Sequence, residues 1–320
     1  MKTPAFWYEP RGGLACALSP LSFIWRAGGA VRRALAVPYR SPVPVICVGN
    51  ITAGGSGKTP TALALGQMLK ENGQKPVFVT RGYGGRERGP LRVDLAYHTA
   101  QDVGDEALLL AQVAPTWIGR DRAAAVRAAE AHGTHILLDD GLQNPSIQPS
   151  HSLLVIDAAV GLGNECIIPA GPLRETLDAA LKRVTAIVLV GERDETNLMP
   201  RLTKPILHAR LQAMLPENFP RSEKFLAFAG IGRPEKFYQA CRQAGLTLVG
   251  TWDFPDHHTF SAREMESLKS AAKDLGARLL TTEKDAVRLL PELRSHVSTL
   301  PIQLVFGDPI AIKKLITAAA

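Results

Sequence analysis

The sequence predicts an α/β fold in two parts, a larger P-loop domain followed by a smaller α/β domain. Three observations carry that prediction. Apolar runs of strand length alternate with helical periodicities along most of the 320 residues. The first such run ends in a glycine-rich loop closed by Gly-Lys-Thr. At 212–224, "QAMLPENFPRSEK" interrupts the alternation with a polar stretch holding two prolines, and a second set of strands and helices follows it. A chain this long also exceeds one small core.

Residues 1–40 stand apart from that pattern. They hold Lys2, Arg11, Arg26, Arg32, Arg33 and Arg40 against Glu9 alone, a net of +5 out of +7 for the chain. "GGLACALSPLSFIW", between Arg11 and Arg26, is uncharged but shorter than a bilayer-crossing helix requires. It lacks the small-residue cleavage site of a signal peptide. Arginines and aromatics (Phe6, Trp7, Tyr8, Trp25) flanking an apolar segment suit a membrane surface, where cations meet anionic lipid. The competing reading is a helix packed on the domain with its arginines in water. No basic patch interleaved with aromatics and no nucleic-acid motif is present, so a nucleic-acid partner is not expected. Cys16, Cys47, Cys166 and Cys241 are scattered, which argues against disulfide or zinc frameworks and fits a reducing compartment.

From Val45 the elements follow in order. "VICV" (45–48) is a buried strand, and the helical spacing from Thr61 to Leu69 is the helix after the loop. "KPVFVT" (75–80) is the next strand, followed by the loop "RGYGGRERG" (81–89). "DEALLLAQVA" (105–114) is a helix, "TWIG" (116–119) a short strand, and "DRAAAVRAAEAHG" (121–133) a helix stopped by Gly133. "HILLDDG" (135–141), "HSLLVIDA" (151–158) and "AIVLVG" (186–191) are strands. The alternation implies parallel βαβ units with the site at the strands' carboxyl ends. In the second part, "FLAFAGI" (225–231), "TLVGTW" (247–252), "RLLTT" (278–282) and "IQLVFG" (302–307) are strands. Helices run from Pro234 to Gly245 and from about Ala262, the latter with a Ser261/Glu264 capping box.

Chemistry concentrates in a few blocks. In the loop of Thr52, Ala53, Gly54, Gly55, Ser56, Gly57, Lys58 and Thr59, glycines turn backbone N–H groups inward around an anion. Lys58 reaches the β- and γ-phosphates and the Thr59 hydroxyl binds Mg²⁺. Thr52 stands where the usual pattern begins with glycine. Asp139 and Asp140 end a strand, where an acid in a P-loop protein holds Mg²⁺; "DDG" is turn chemistry as well. Asp105 and Glu106 begin a helix, and capping with dipole compensation explains both by spacing alone. Asp256, His257 and His258 precede the capped helix, where a histidine from the second domain could close over the nucleotide. Arg174 and Glu175 in "PAGPLRET", and Arg120 and Arg122 in "GRDR", suit phosphate by fork geometry or are solvated surface charge.

Together, "GNITAGGSGKTP", "RGYGG", "GDEALLL", "DDGLQ", "PAGPLRE", "DHHTF" and "TTEKDAV" resemble the tetraacyldisaccharide 4'-kinase family, the lipid A 4'-kinases. The blocks stand in family order and cover most of the chain. The resemblance implies transfer of the γ-phosphate of ATP to the 4'-hydroxyl of a tetraacylated disaccharide 1-phosphate, giving lipid IVA. It implies a peripheral, monotopic enzyme at the cytosolic face of the bacterial inner membrane. It also implies two α/β/α domains, a P-loop domain and a smaller one, joined by a hinge with a short two-stranded sheet. With the boundary at the polar stretch, the chain divides into a docking segment over 1–40, a three-layer P-loop domain over 41–212, a hinge over 213–224 and a smaller α/β domain over 225–320.

Carried over by motif, Asp105 and His257 correspond to the family's catalytic dyad, with Asp105 accepting the hydroxyl proton and His257 tuning it. Lys58 stabilises charge on the γ-phosphoryl group. Thr59 with Asp139 or Asp140 holds Mg²⁺, and Arg174 and Glu175 complete the metal and nucleotide site. Arg81, Tyr83 and Gln143, with Arg120, are the residues expected at the sugar and 1-phosphate. Asn144 stands where the family commonly has His, and Thr176 where it commonly has Pro. The alternative is a P-loop ATPase regulated by a protein partner, which the sequence does not name. An N-K-x-D guanine-reading motif is absent from the sequence.

Overall fold

The computed structural model describes residues 4–191 and 198–317. Lys2, counted above in the basic N-terminus, and the last three residues lie outside them.

After a short 3-10 turn (Ala5–Tyr8) come helix α1 (Gly13–Ala34), strand β1 (Val45–Gly49) and helix α2 (Lys58–Glu71). β2 (Pro76–Thr80) and β3 (Leu91–Arg92) precede α3 (Ala100–Val103), α4 (Asp105–Val113), β4 (Thr116–Ile118) and α5 (Arg122–Ala129). β5 (His135–Asp139), β6 (His151–Asp157), α6 (Leu177–Leu181), β7 (Ala186–Val190) and β8 (Ile206–Ala213) complete the first pass. The second part holds β9 (Lys224–Ala229), α7 (Pro234–Gln243), β10 (Thr247–Asp253), α8 (Ala262–Asp274) and β11 (Arg278–Thr282). It continues through α9 (Glu283–Ala286), α10 (Pro291–Arg294), β12 (Val297–Leu300), β13 (Ile302–Phe306) and α11 (Pro309–Thr317).

The larger sheet has the order β13-β8-β7-β6-β1-β5-β2-β4-β3. It is parallel except at its two edges, where β13 and β3 run antiparallel. β1 pairs with both β5 and β6, so strand order reverses there and opens a crevice beyond the carboxyl end of the strand that carries the phosphate loop. Every residue of β1 is buried. Val45 and Cys47 pack with α5 and α6, while Ile46 and Val48 pack with α2 and α11. Alternation along one strand thus feeds two apolar layers, and the sheet is covered on both faces. The smaller sheet, β10-β9-β11-β12, is parallel throughout. Phe237, Tyr238 and Cys241 of α7 cover one face, and Met265, Leu268 and Ala272 of α8 the other. The three-layer architecture therefore holds in both parts.

Two expectations need correction. Residues 302–307, assigned by their position to the smaller domain, belong to the larger sheet. Ile302–Phe306 pairs antiparallel with β8, and Ile312 and Ile316 of α11 join the core beside α2. The chain crosses between the sheets twice, and the crossings are stitched where Met214 N–H donates to the Pro301 carbonyl. A reading based on order along the chain assigns each element to its neighbours, whereas the exposed edge of β8 required a partner.

The N-terminal apolar stretch does not stop at Arg26. It is part of a 22-residue helix, long and apolar enough by length and composition to cross a membrane, and only 11% of its apolar window is buried. One face rests on the larger domain, where Ser22 donates to the Ile167 carbonyl and Trp25 to that of Arg174. Phe23 points away, 70% exposed, while Ile24, 68% exposed, faces the cavity described below.

Candidate active site

The loop between β1 and α2 is built for close approach. Gly57, the residue before the helix, has φ of 89°, a left-handed conformation that disfavours any side chain. The first N–H groups of α2 have no partners within the helix, and the positive end of its dipole lies at Lys58. Ser56 Oγ is buried without a partner. The other end of the loop is anchored elsewhere. Thr52 forms a bridge with Leu173, and Ala53 N–H donates to the Pro172 carbonyl at 2.8 Å. A glycine is therefore dispensable at position 52, and the Ala53 N–H is not available to an anion.

The two strand-end acids have different surroundings. Asp139 is fully buried; its Oδ2 accepts from the Thr59 hydroxyl at 3.2 Å and its Oδ1 has no partner. Burial, with Glu106 and Asp140 nearby, pushes its carboxyl up to about 7 despite Lys58 and Thr59. Asp140 has φ of 52° and lies 3.8 Å from Lys58 Nζ and 3.3 Å from Arg174. Burial raises its carboxyl, but Lys58 and Arg174 outweigh that and hold it below the usual range. Among the described residues there is no cluster of three or more His, Cys, Asp or Glu able to hold a metal by themselves. A Thr–Asp pair with an open carboxylate oxygen fits an ion that takes its remaining ligands from phosphate and water.

Glu175 departs from expectation. Its Oε2 is paired with Arg183 and its Oε1 accepts from Gln143 at 3.2 Å. Each oxygen has a partner, so Glu175 braces the loop. Gln143 also donates to the Asn50 carbonyl at 2.7 Å and accepts from Arg174 at 3.2 Å. It ties the phosphate loop to Arg174. Thr176 caps α6, its hydroxyl accepting from Ala179 N–H, and Asn144 Oδ1 accepts from Ser146 N–H. Arg120 is exposed, its N–H on the Arg88 carbonyl, and does not line the cavity described below. The arginine in that loop that reaches the site is Arg122. It is 3% exposed, donates to the Asp139 carbonyl at 3.4 Å, and burial brings its guanidinium down to about 10.

Asp105 and His257 meet across the two domains. Gly104, with φ of 86°, turns the chain from α3 into α4; a Cβ there would lie 2.3 Å from the Tyr83 carbonyl oxygen. The turn places Asp105 at the start of α4, 4% exposed. His257 Nδ1 lies 3.0 Å from Asp105 Oδ2. Lys284 is 3.9 Å from the same oxygen and 3.5 Å from Glu106. Arg288 donates to it through both Nε and Nη2. Burial alone would raise the Asp105 carboxyl, but His257, Lys284 and Arg288 hold it far below the usual carboxylate range. His257 has φ of 61°, a strained value for a side-chain-bearing residue, and its ring lies against Tyr83 with centroids 5.5 Å apart. A second bridge between the domains joins Asp157, at the end of β6, to Arg233 and Lys236.

Between the domains lies a cavity of about 1450 Å³. Lys58, Thr59, Asp140, Arg81, Tyr83 and His257 are on its wall, which continues to Leu21, Ile24 and Trp25 of α1. Asp105 is not on that wall; His257 is. Sequence reasoning missed Lys284, Arg288 and the reach of Glu106. "TTEKDAV" was legible as a block, and the four-residue spacing of Lys284 and Arg288 marks one helical face. Which domain that face would meet was not.

A glycine-rich loop at a helix start, a Thr–Asp pair beside it and a cleft closed by a second domain define a two-domain P-loop protein. The chain belongs to the tetraacyldisaccharide-1-P 4'-kinase family, whose model matches residues 14–320. It is 46% identical over 325 residues to the tetraacyldisaccharide 4'-kinase of Parvibaculum lavamentivorans, covering 96% of this chain and 95% of that one. It is likewise 46% identical over 326 residues to the enzyme of that name from Rhodospirillum centenum, covering 99% and 96%. Among solved structures it resembles LpxK from Aquifex aeolicus in complex with ATP, with a TM-score of 0.76 and 25% identity over 95% of this chain and 98% of that one.

Proposed function

We propose that the protein transfers the γ-phosphate of ATP to the 4'-hydroxyl of a tetraacylated disaccharide 1-phosphate, at the cytosolic face of the bacterial inner membrane. The observation that carries this reading is the single cavity running from the phosphate loop and His257 to the apolar helix α1. A lipid with a sugar head group needs that continuity. Its head must reach the phosphate loop while its acyl chains stay at an apolar surface.

The phosphate loop and α2 hold the triphosphate, with Lys58 on its terminal groups. Lys58 is parked 3.8 Å from Asp140, and the triphosphate is the stronger anion to draw it away. Thr59 and the open oxygen of Asp139 would hold Mg²⁺, which would neutralise charge on the transferring group. Asp140 stays paired with Arg174. Arg122 and Arg174 add fixed positive charge around the phosphates. Arg81 and Tyr83, exposed on the cavity wall, contact the acceptor. Asp105 and His257 act as a unit on the 4'-hydroxyl proton. Asp105 lies behind His257, so, in place of Asp105 as the direct base, His257 takes the hydroxyl proton while Asp105 fixes its tautomer and offsets the positive charge the imidazole gains.

The test is transfer from γ-labelled ATP, with Mg²⁺, to tetraacyldisaccharide 1-phosphate in detergent micelles. Label in the lipid fraction is expected. Label released only as inorganic phosphate, with or without lipid, would replace this reading with the partner-regulated ATPase.

A further inference from the structure

Arg288 is held on every side of its guanidinium. Its side chain is 4% exposed. Nε and Nη2 donate to Asp105 Oδ2 on the other domain, and Nη1 donates to the Gly230 carbonyl at 2.7 Å and to Asp285 Oδ1 at 2.8 Å. Asp285 is fully buried and is fixed in turn. Its Oδ2 accepts from the Thr282 hydroxyl at 2.7 Å and from Gly230 N–H at 3.1 Å. The same Gly230 carbonyl accepts His257 N–H at 3.1 Å. One backbone group at the end of β9 therefore anchors both His257 and Arg288, and both converge on one oxygen of Asp105. Beside them, Val287 packs with Val103, Ala107 and Leu108 and keeps water from the junction.

We infer that Arg288 is a positioning residue for the transfer: by bridging Gly230, Asp285 and Asp105 it joins the two halves of the Asp105–His257 pair only when the domains are closed. This rests on the function proposed above. A planar guanidinium spreads five donors over a rigid fork, so it can span all three acceptors, whereas an ammonium offers three donors from a single atom. Arg288 touches no reactant and is absent from the cavity wall. Its effect passes through Asp105. The charged and titratable groups facing Asp105 are His257 from the loop before α8, and Lys284 and Arg288 from the α9 region. Glu106 stands beside it on α4, with Asp256 behind His257 and Asp285 behind Arg288. Removing Arg288 takes away a major cationic neighbour, so the Asp105 carboxyl rises toward ordinary values.

The experiment compares full-length wild type, Arg288→Gln and Arg288→Lys in the micelle assay, with ATP affinity and thermal melting measured on the same preparations. Arg288→Gln is expected to lower kcat about 100-fold, the scale of an ångström-level misplacement, with KM for ATP within about twofold because the phosphate loop is untouched. The acid limb of its kcat/KM profile moves to higher pH. Arg288→Lys recovers part of kcat and part of that pH shift. Wild-type kcat in a folded, ATP-binding Arg288→Gln overturns the inference. So does a loss of kcat matched by a fall in melting temperature with an unmoved pH profile, which would make Arg288 structural only. If the glutamine variant does not fold, the lysine variant decides. Reduced kcat at an unchanged melting temperature supports the inference, and wild-type kcat, or failure of this variant to fold as well, overturns it. Failure of the kinase reading is distinguishable, since wild type itself would then leave no label in the lipid.

Discussion

His257 Nδ1 lies 3.0 Å from Asp105 Oδ2, joining residues 152 positions apart across the cleft between two domains. Neither residue alone is distinctive. One starts a helix and the other sits in a loop, and only closure of the smaller domain over the larger makes them a pair.

Asp105→Asn is expected to lower kcat by about 100-fold or more, the usual contribution of general acid–base groups, while ATP binding is retained. His257→Asn should fall to a similar rate, and the double variant little further, because groups acting as a unit are not additive. The check is single-turnover transfer with bound nucleotide measured separately. Normal transfer by Asp105→Asn would remove the dyad from the mechanism.

Thr59 and Asp139 should govern the response to Mg²⁺. Thr59→Ala and Asp139→Asn are expected to raise the Mg²⁺ concentration for half-maximal rate by about tenfold or more, in line with the loss of an ion ligand or its support. Glu175→Gln should leave that concentration unchanged, since both oxygens of Glu175 already have partners. A Mg²⁺ titration of initial rate distinguishes these cases.

Stability of the nucleotide-free protein carries the signature of Asp139. Its folded carboxyl, pushed up to about 7, lies above the ordinary value of 3.8. The folded state therefore binds more protons than the unfolded state between those values, and this group's stabilising contribution fades as pH rises from about 4 to about 7. Asp105 acts oppositely: its carboxyl is held low, and its contribution is lost only as pH falls below the ordinary carboxylate range. Melting temperatures at pH 5.5 and pH 8, about 1.5 units below and about 1 unit above the carboxyl's value of about 7, should differ less in Asp139→Asn than in wild type. Adding Mg²⁺ with nucleotide should restore stability at the higher pH.

The outward face of α1 should set membrane affinity. Phe23 and Ile24 are exposed on α1, and Ile24 also stands on the cavity wall. Replacing both with serine should weaken binding to anionic vesicles by about tenfold or more, given roughly 1.5–3 kcal/mol for each large apolar side chain buried. ATP affinity should be unaffected. Vesicle flotation with matched nucleotide titrations tests this.

Much of the larger domain and of the phosphate site was legible in the sequence because its signals are local. A buried strand, a glycine-rich loop and Lys58–Thr59 are contiguous, and each strand of the parallel core reads as an apolar run. β8 was legible in principle, since Ile206–Ala213 partly alternates in burial, but arginine and histidine on its exposed side obscured it. The return of β13 to the larger sheet was not legible, because an antiparallel edge partner is chosen by which edge stands open in space.

The residue types and spacings by themselves determined the α/β class, the phosphate loop, the two strand-end acids and, by resemblance, the pairing of Asp105 with His257. Tertiary structure decided which groups are free. It occupied both oxygens of Glu175, left one oxygen of Asp139 open, turned Arg120 outward and Arg122 inward, and brought Arg288 onto Asp105 from 183 residues away. Motifs record covalent order, whereas burial and hydrogen-bond partners depend on which surfaces meet when the chain closes, and those contacts set each group's charge and reach.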